Sequence, residues 1–485
     1  MTLNGKPFFT PSSAAEALRY MRYTSKPRVL WIDALCINQA DLSERAHQVT
    51  FMGHIYSRAT RTVVWLGPCV DEEKTQRAIG LCHKIAEHLS TVPDPEDQFR
   101  RVAVDRETSD SASNKVQADL SLLDTIFGWP WFDRLWRPST STLRRMTSYA
   151  TLAFPSGVIM FCGLPLSTLL STTRLCKTID PRDRIFALLG VTTWSTRAQK
   201  LPLGIQPDYQ KSTRNVLRDA TRVMFCEDDN LDLLGGNPLT PHLPQEWTKT
   251  SAWLSWVPDW NGRRNLDRAM FEDKYNASNG HPLLLAEQST ELDILCLEGF
   301  VISPVASLFS LPRGRFKGLP QFRDFAQAIN EWRAVQTPFE QPLSIELLVV
   351  TLVRELLGFP ATKSRMNIDD DRLKMFVNVL KFDSGEQPSG EQSALVSEIF
   401  KRIWFASKGQ HFFHTNDGRV GVGPEFMREG DNVVVLFGGR WPFVLREEGD
   451  THRLIGPCYV RGIMDGEAVR EREAKGVPPR DSKIR

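Results

Sequence analysis

Leu30-Trp31-Ile32-Asp33-Ala34-Leu35-Cys36-Ile37-Asn38-Gln39 is the stretch on which the reading of this chain turns. A short apolar run breaks into small polar side chains, and an amphipathic segment and a second apolar run follow. Val29 to Ile32 reads as a strand buried on both faces of a parallel sheet. Asp33, Cys36, Asn38 and Gln39 come where the chain leaves that strand, the place where open α/β sheets bind ligands. Asp41 is placed to cap a helix, and Glu44 completes a capping-box pattern with Asp in the cap role. Val49, Met52, Ile55, Tyr56 and Ala59 then recur at helical spacing, so one face of the helix is apolar and Tyr56 belongs to the core. Thr62 to Leu66 reads as the next buried strand, stopped by Gly67-Pro68. Two strands joined by one helix are expected to run parallel, with a right-handed crossover.

Outward from this unit, residues 1 to 200 read as an α/β domain. Ala14 to Arg22 and Glu72 to Leu89 are predicted helices, and Pro93 to Lys115 is a polar, Ser-rich loop or insertion. Gln117 to Phe127 returns to helical periodicity, and Val158 to Gly163 reads as a strand. Asp180-Pro181-Arg182-Asp183-Arg184 starts a helix over Ile185 to Leu189. Residues 201 to 300 alternate short helices with Pro- and Trp-rich loops, with Ser255 to Trp260 as the landmark. Residues 301 to 408 read as mainly helical, with Leu343 to Val353 a buried helix and Gln387 to Gln392 a polar connector. From 409 to 470 the period changes to that of strands. Asn416-Asp417-Gly418 is a hairpin turn, and five short strands suggest a small antiparallel barrel. Residues 471 to 485 are charged and Pro-containing, and are expected to fray.

The bulk numbers exclude more than they assign. With 485 residues, 41% hydrophobic and 24% charged, the chain has room for two to four globular domains. A net charge of +2 gives no electrostatic case for a nucleic-acid or membrane partner. The eight Cys are scattered and make no metal-ligand spacing, which predicts reduced thiols in a cytoplasmic protein. Met1 to Pro11 is polar, so no signal peptide is expected, and the longest apolar run is too short to span a bilayer. No Walker loop, dinucleotide glycine fingerprint or GxSxG elbow occurs.

The polar residues each admit two readings. Asp33 binds a ligand or ties its own turn; Asn38 and Gln39 offer amides to a ribose or nucleobase edge, or serve a turn. Cys36 is a nucleophile only with a His–Asp partner set that the nearby sequence lacks, and otherwise a packed thiol. Glu44 is a catalytic acid or a capping-box member. His47 and His54 share a helix face but lack further ligands, so no metal is expected. Arg182-Asp183-Arg184 grips a phosphate or forms a salt-bridged helix start.

Leu30 to Gln39, together with Glu44, Gln48, Met52, Ile55, Tyr56, Ala59 and Val63 to Gly67, resembles the fungal heterokaryon incompatibility (HET) domain family. Asp180 to Gly190, Ser255 to Trp260, Gly430-Asp431 and Tyr459 to Glu467 also look like stretches that recur in such proteins. The resemblance implies fungal non-self recognition, in which the HET domain triggers cell death through self-association or a protein partner. It also implies a TIR-like, flavodoxin-like parallel sheet; some such domains cleave NAD, which would be a substrate rather than a bound cofactor, while others act only by self-association. In that enzymatic alternative Glu44 is the catalytic group of an NAD glycohydrolase, with Asp33, Cys36, Asn38 and Gln39 binding the ligand. Two departures stand out. The family's aromatic-rich first strand lies upstream of the part resembling Leu3-Asn4-Gly5, and Arg137 to Thr142 replaces the apolar pair and Gln-Glu that normally follow Trp131 to Trp136. They imply a third alternative, a truncated and inactive family member.

Overall fold

The computed structural model describes residues 2–3, 5–63, 65, 67–69, 71–91, 164–173, 176–196, 200–202, 204–235, 253–258, 260, 275–285, 291–310, 319–335 and 410–485, with single positions between 374 and 400. Several expectations lie outside these residues: the loop at 93–115, the helix at 117–127, the segment 131–142, the strand at 158–163, the apolar run at 343–353 and the connector at 387–392. The chain forms two compact units, Met1–Asp228 with Trp260–Arg263, and Asp229–Asp259 with Arg264–Arg485.

The first unit is mixed α/β and mostly helical in its described part. Strands β1 (Thr2–Leu3) and β2 (Lys6–Pro7) pair antiparallel. Helices follow: α1 (Ser12–Met21), α2 (Asp33–Cys36), α3 (Leu42–Arg58), α4 (Glu72–Thr91), α5 (Leu166–Thr172), α6 (Asp183–Phe186), α7 (Thr193–Thr196) and α8 (Thr213–Asp228). The buried faces of α5, α6 and α8 supply the core through Leu166, Leu169, Ile185, Phe186, Leu217 and Phe225.

The expected parallel strand pair is not formed by the described residues. Val29 to Ile32 and residues 62, 63 and 65 join no ladder. Ile32 has extended backbone angles, but it caps the short α2 rather than pairing with a neighbour. Val29 is 98% exposed, so this end of the apolar run faces solvent. An apolar run makes a strand possible; only a partner backbone makes it a sheet. Tyr56 is also corrected. It is 47% exposed, with its ring edge-on to Trp31 at 6.0 Å between centroids, and is not a core residue.

The second unit is built on a sheet. It contains α9 (Asp232–Gly235), β3 (Leu295–Ser310), α10 (Leu319–Val335), β4 (Gln410–Thr415), β5 (Val420–Pro424), β6 (Asn432–Leu436), β7 (Phe443–Glu448), β8 (Thr451–Pro457), β9 (Tyr459–Val460), α11 (Glu467–Ala474) and β10 (Arg480–Ile484). The strand order is β10-β8-β7-β6-β3-β4-β5-β9, with β10 also antiparallel to β3. β10 meets β8 in a parallel bridge, Ile484 to His452. Phe300, Phe413, Val433, Val435, Val444 and Ile455 fill the core.

Two expectations change here. The segment read as the start of a helical region begins with the longest strand. Gly299 and Pro304 punctuate β3, but the fold needs both. A side chain at Gly299 would put its Cβ 2.1 Å from the Val435 carbonyl oxygen. Pro304 sits between two register shifts, at Val301/Ser303 and Val305/Ser307, where a strand tolerates a residue without an N–H. The tail is not frayed either: α11 packs Ala468 and Val469 into the core, and β10 pairs with Leu295 to Gly299. The hairpin turn holds as read. Gly418 has φ +85° and its amide donates to Thr415 O at 2.9 Å.

Candidate functional site

The polar stretch folds as a self-braced loop between α2 and α3. Asp41 caps α3, its carboxylate accepting from Ser43 N at 2.9 Å and Glu44 N at 3.1 Å. Asp41's own amide donates to the Asn38 carbonyl at 3.1 Å. Glu44 therefore reaches one turn further back than a capping box requires, and its Oε1 accepts the Asn38 amide at 2.9 Å. Asn38 Oδ1 accepts from Ala40 N at 3.2 Å, closing an Asx turn. Gln39 Nε2 donates to the Asp33 carbonyl at 3.2 Å, and Asp33 Oδ1 accepts from Ala34 N at 2.7 Å. Cys36 is a free, exposed thiol whose sulfur lies 3.5 Å from Ile32 N. All five predicted site residues thus lie on one continuous segment, Asp33 and Cys36 in α2, Asn38 and Gln39 in the loop and Glu44 in the first turn of α3, and the side-chain oxygens and nitrogens of four of them shape it. Glu44 meets Asn38, and Gln39 meets Asp33; the Asp33 carboxylate turns to its own helix.

The sequence reading missed the residue after Glu44. The Arg45 guanidinium lies over the Tyr209 ring, 3.7 Å from its centroid. It also pairs with Asp180 at 3.3 Å and Asp183 at 3.2 Å. The Tyr209 hydroxyl donates to Asp183 Oδ1 at 2.5 Å. Arg182 closes the far side, donating to both Asp180 oxygens at 2.9 Å and to the carbonyls of Tyr209 and Lys211. Of the two readings of the Asp180–Arg184 motif, the salt-bridged start is the one formed. Arg184 is buried and donates to the carbonyls of Thr173 and Cys176.

Burial drives the electrostatics of this cluster. It raises the Asp183 carboxyl above the usual carboxylate range, against the Tyr209 hydroxyl and the Arg45 charge. Burial also works on Asp180, but the donors of Arg182 and the charges of Arg182 and Arg45 outweigh it and hold that group below 3.8. Tyr209 is pushed upward by burial and by donating to Asp183, so its hydroxyl stays protonated at neutral pH. Nothing local in the sequence links Arg45 to Tyr209. The only signal was the density of charge in Asp180 to Arg184.

His47 and His54 flank Phe51, at 4.7 and 6.2 Å between ring centroids. Among the described residues no group of three or more His, Cys, Asp or Glu could hold a metal ion, and no helix is long and apolar enough to cross a membrane.

The later family-like stretches hold the second unit together. The Ser255 amide and hydroxyl donate to the Arg485 carbonyl, the hydroxyl accepts from Leu454 N at 2.9 Å, and Trp256 Nε1 donates to Asp293 O at 3.1 Å. Asp431 is chelated by Arg446 at 2.8 and 2.9 Å. Gly466, at φ +84°, is the N-cap of α11.

The family model for Heterokaryon incompatibility protein (HET) matches residues 1–137, and that for the Het-6 beta-barrel domain matches residues 388–476. The chain is similar to Heterokaryon incompatibility protein 6, OR allele, of Neurospora crassa, 24% identical over an alignment of 590 positions that covers 95% of this chain and 85% of the relative. No solved structure matches. The resemblance read from Leu30 to Gly67 is borne out: the HET family model covers that stretch, and the Het-6 beta-barrel model covers the strands from Gln410 to Val460.

Proposed function

We propose that the chain acts in fungal heterokaryon incompatibility, and that its HET segment triggers cell death by self-association or by binding a protein partner. The observation that carries the role is the likeness to an incompatibility protein along nearly the whole chain. The site chemistry favours a signalling surface over a catalyst. Glu44, the one candidate acid, holds a backbone amide of its own loop. The cytoplasm is the proposed compartment.

Cleavage of NAD is the second reading, favoured by the exposure of Asn38 and Gln39 on the same loop as Glu44. There the Glu44 carboxylate would stabilise an oxocarbenium-like ribosyl centre. Glu44→Gln separates the two, because the amide oxygen still accepts the Asn38 N–H while the charge is gone. The full chain and this variant are expressed in a compatible fungal host, death is scored by dye uptake, and purified protein is incubated with NAD. The signalling reading expects death with both proteins and no nicotinamide. Death lost in Glu44→Gln, with nicotinamide released by the unaltered chain, would refute it. A chain that neither kills nor cleaves NAD fits the third reading, an inactive family member.

A further inference from the structure

We propose that Arg45 is a latch that holds the loop of residues 33–44, and with it the first turn of α3, on the rest of the HET-bearing unit. Three stretches far apart in sequence meet at this one side chain. Arg45 follows directly on Glu44, whose carboxylate braces Asn38. Asp180 and Asp183 approach the guanidinium at 3.3 and 3.2 Å, and Tyr209 lies beneath it at 3.7 Å. The guanidinium suits this seat because it is planar: it stacks on a ring and meets carboxylates in one position, which an ammonium does not do. The seat has bonds of its own besides those to Arg45. Arg182 grips Asp180 through two donors, and the Tyr209 hydroxyl fixes Asp183.

The other side-chain hydrogen bonds of the loop are internal to it, and its remaining anchors are the buried Ile37 and the approach of α3 to Leu189–Val191. Asp41, Asn38, Gln39 and Glu44 bond only to atoms between Asp33 and Glu44 in the contacts above. Such bonds keep the shape of the loop, but do not fix its place. Exposed segments with few outside contacts open at low free-energy cost. Unseating Arg45 therefore removes the loop's polar tie and leaves it only the packing of Ile37 and of α3, while α8 and the turn at 180–183 stay folded, because Arg182 still binds Asp180 and the carbonyls of Tyr209 and Lys211.

The test is amide hydrogen exchange by mass spectrometry on the full chain, comparing Arg45→Met, Arg45→Lys and Tyr209→Phe. Met preserves the stem and the helix propensity without the charge. Exchange of peptides covering residues 37–50 is expected to rise at least about tenfold in Arg45→Met, with Thr213–Asp228 unchanged. Arg45→Lys is expected to recover part of the protection. Tyr209→Phe, which retains the ring but loses the hydroxyl bond to Asp183, is expected to raise exchange at 37–50 less than Arg45→Met does. Unchanged exchange at 37–50 in Arg45→Met would overturn the latch. So would loss of protection through α8, which would make Arg45 a general stability element. Neither outcome depends on whether the protein kills cells or cleaves NAD.

Discussion

Removing the Arg446 side chain tests how the second unit is held together. Its guanidinium gives two charged hydrogen bonds to Asp431, at 2.8 and 2.9 Å, and a third to the Phe426 carbonyl at 2.8 Å. The Asp431 side chain is only 3% exposed, whereas Arg446 is 21% exposed. Arg446→Ala therefore strands a buried carboxylate, left with the Arg428 amide at 2.7 Å as its donor. Asp431 also places the β3 bulge, since its carbonyl accepts Val305 N at 2.8 Å and Gly430 N donates to Val305 O at 2.9 Å. Breaking a buried pair from one side costs about 3–5 kcal/mol. The partial exposure of Arg446 puts this pair near about 3 kcal/mol, or roughly 6–12 °C in melting temperature for a unit of this size. Arg446→Lys retains charge without the fork and is expected to lose about half as much. The double variant Asp431→Leu with Arg446→Met is expected to lose less than Arg446→Ala, because it strands no charge. Denaturant-dependent hydrogen exchange in Asn432–Leu436 and Phe443–Glu448 measures these differences within the unit itself. A loss below about 0.5 kcal/mol in Arg446→Ala, or a double variant worse than the single, would refute the argument.

Asp41→Ala removes the cap of α3 and is expected to cost about 1 kcal/mol, read as faster exchange at Ser43 and Glu44. Gly421→Ala would place a Cβ 2.5 Å from the Phe413 ring and 2.5 Å from the Tyr459 carbonyl oxygen, so a loss of at least about 1–3 kcal/mol is expected in denaturant melts. Ser255→Ala leaves Leu454 N without its side-chain acceptor in a buried site and is expected to cost about 1–3 kcal/mol, with increased exchange in β8. Burial depresses His414 below 6.5, against the Thr415 backbone and the Glu429 charge, so the folded state binds fewer protons than the unfolded one. Stability of the second unit should therefore fall as pH drops below about 6.5, and His414→Phe should flatten that limb of the melting-temperature profile.

Local chemistry was legible wherever a motif closes on itself. The Asp41 cap, the helices over 12–21 and 72–91, and the hairpin at Asn416 to Gly418 depend on neighbours a few residues away, and the sequence contains those neighbours. The candidate loop was legible in the same sense: its residues were named, and they do bond to one another. What they bond was not legible. A carboxylate that accepts a backbone amide and one that awaits a substrate look alike until the backbone is placed.

The pattern of Leu30 to Gly67 by itself carried the resemblance to the HET family, because taken together that pattern is long and specific. Only the tertiary structure decided that Val29 to Ile32 pairs with no described strand, that β3 runs through Gly299 and Pro304, and that the final residues close against Leu295 to Gly299. The pairing of β3 with β4, β6 and β10, the bulges in β3, and the seat of Arg45 between Tyr209 and Asp183 join residues a hundred or more positions apart. Such contacts depend on which backbones meet in space, and local propensity carries no record of that.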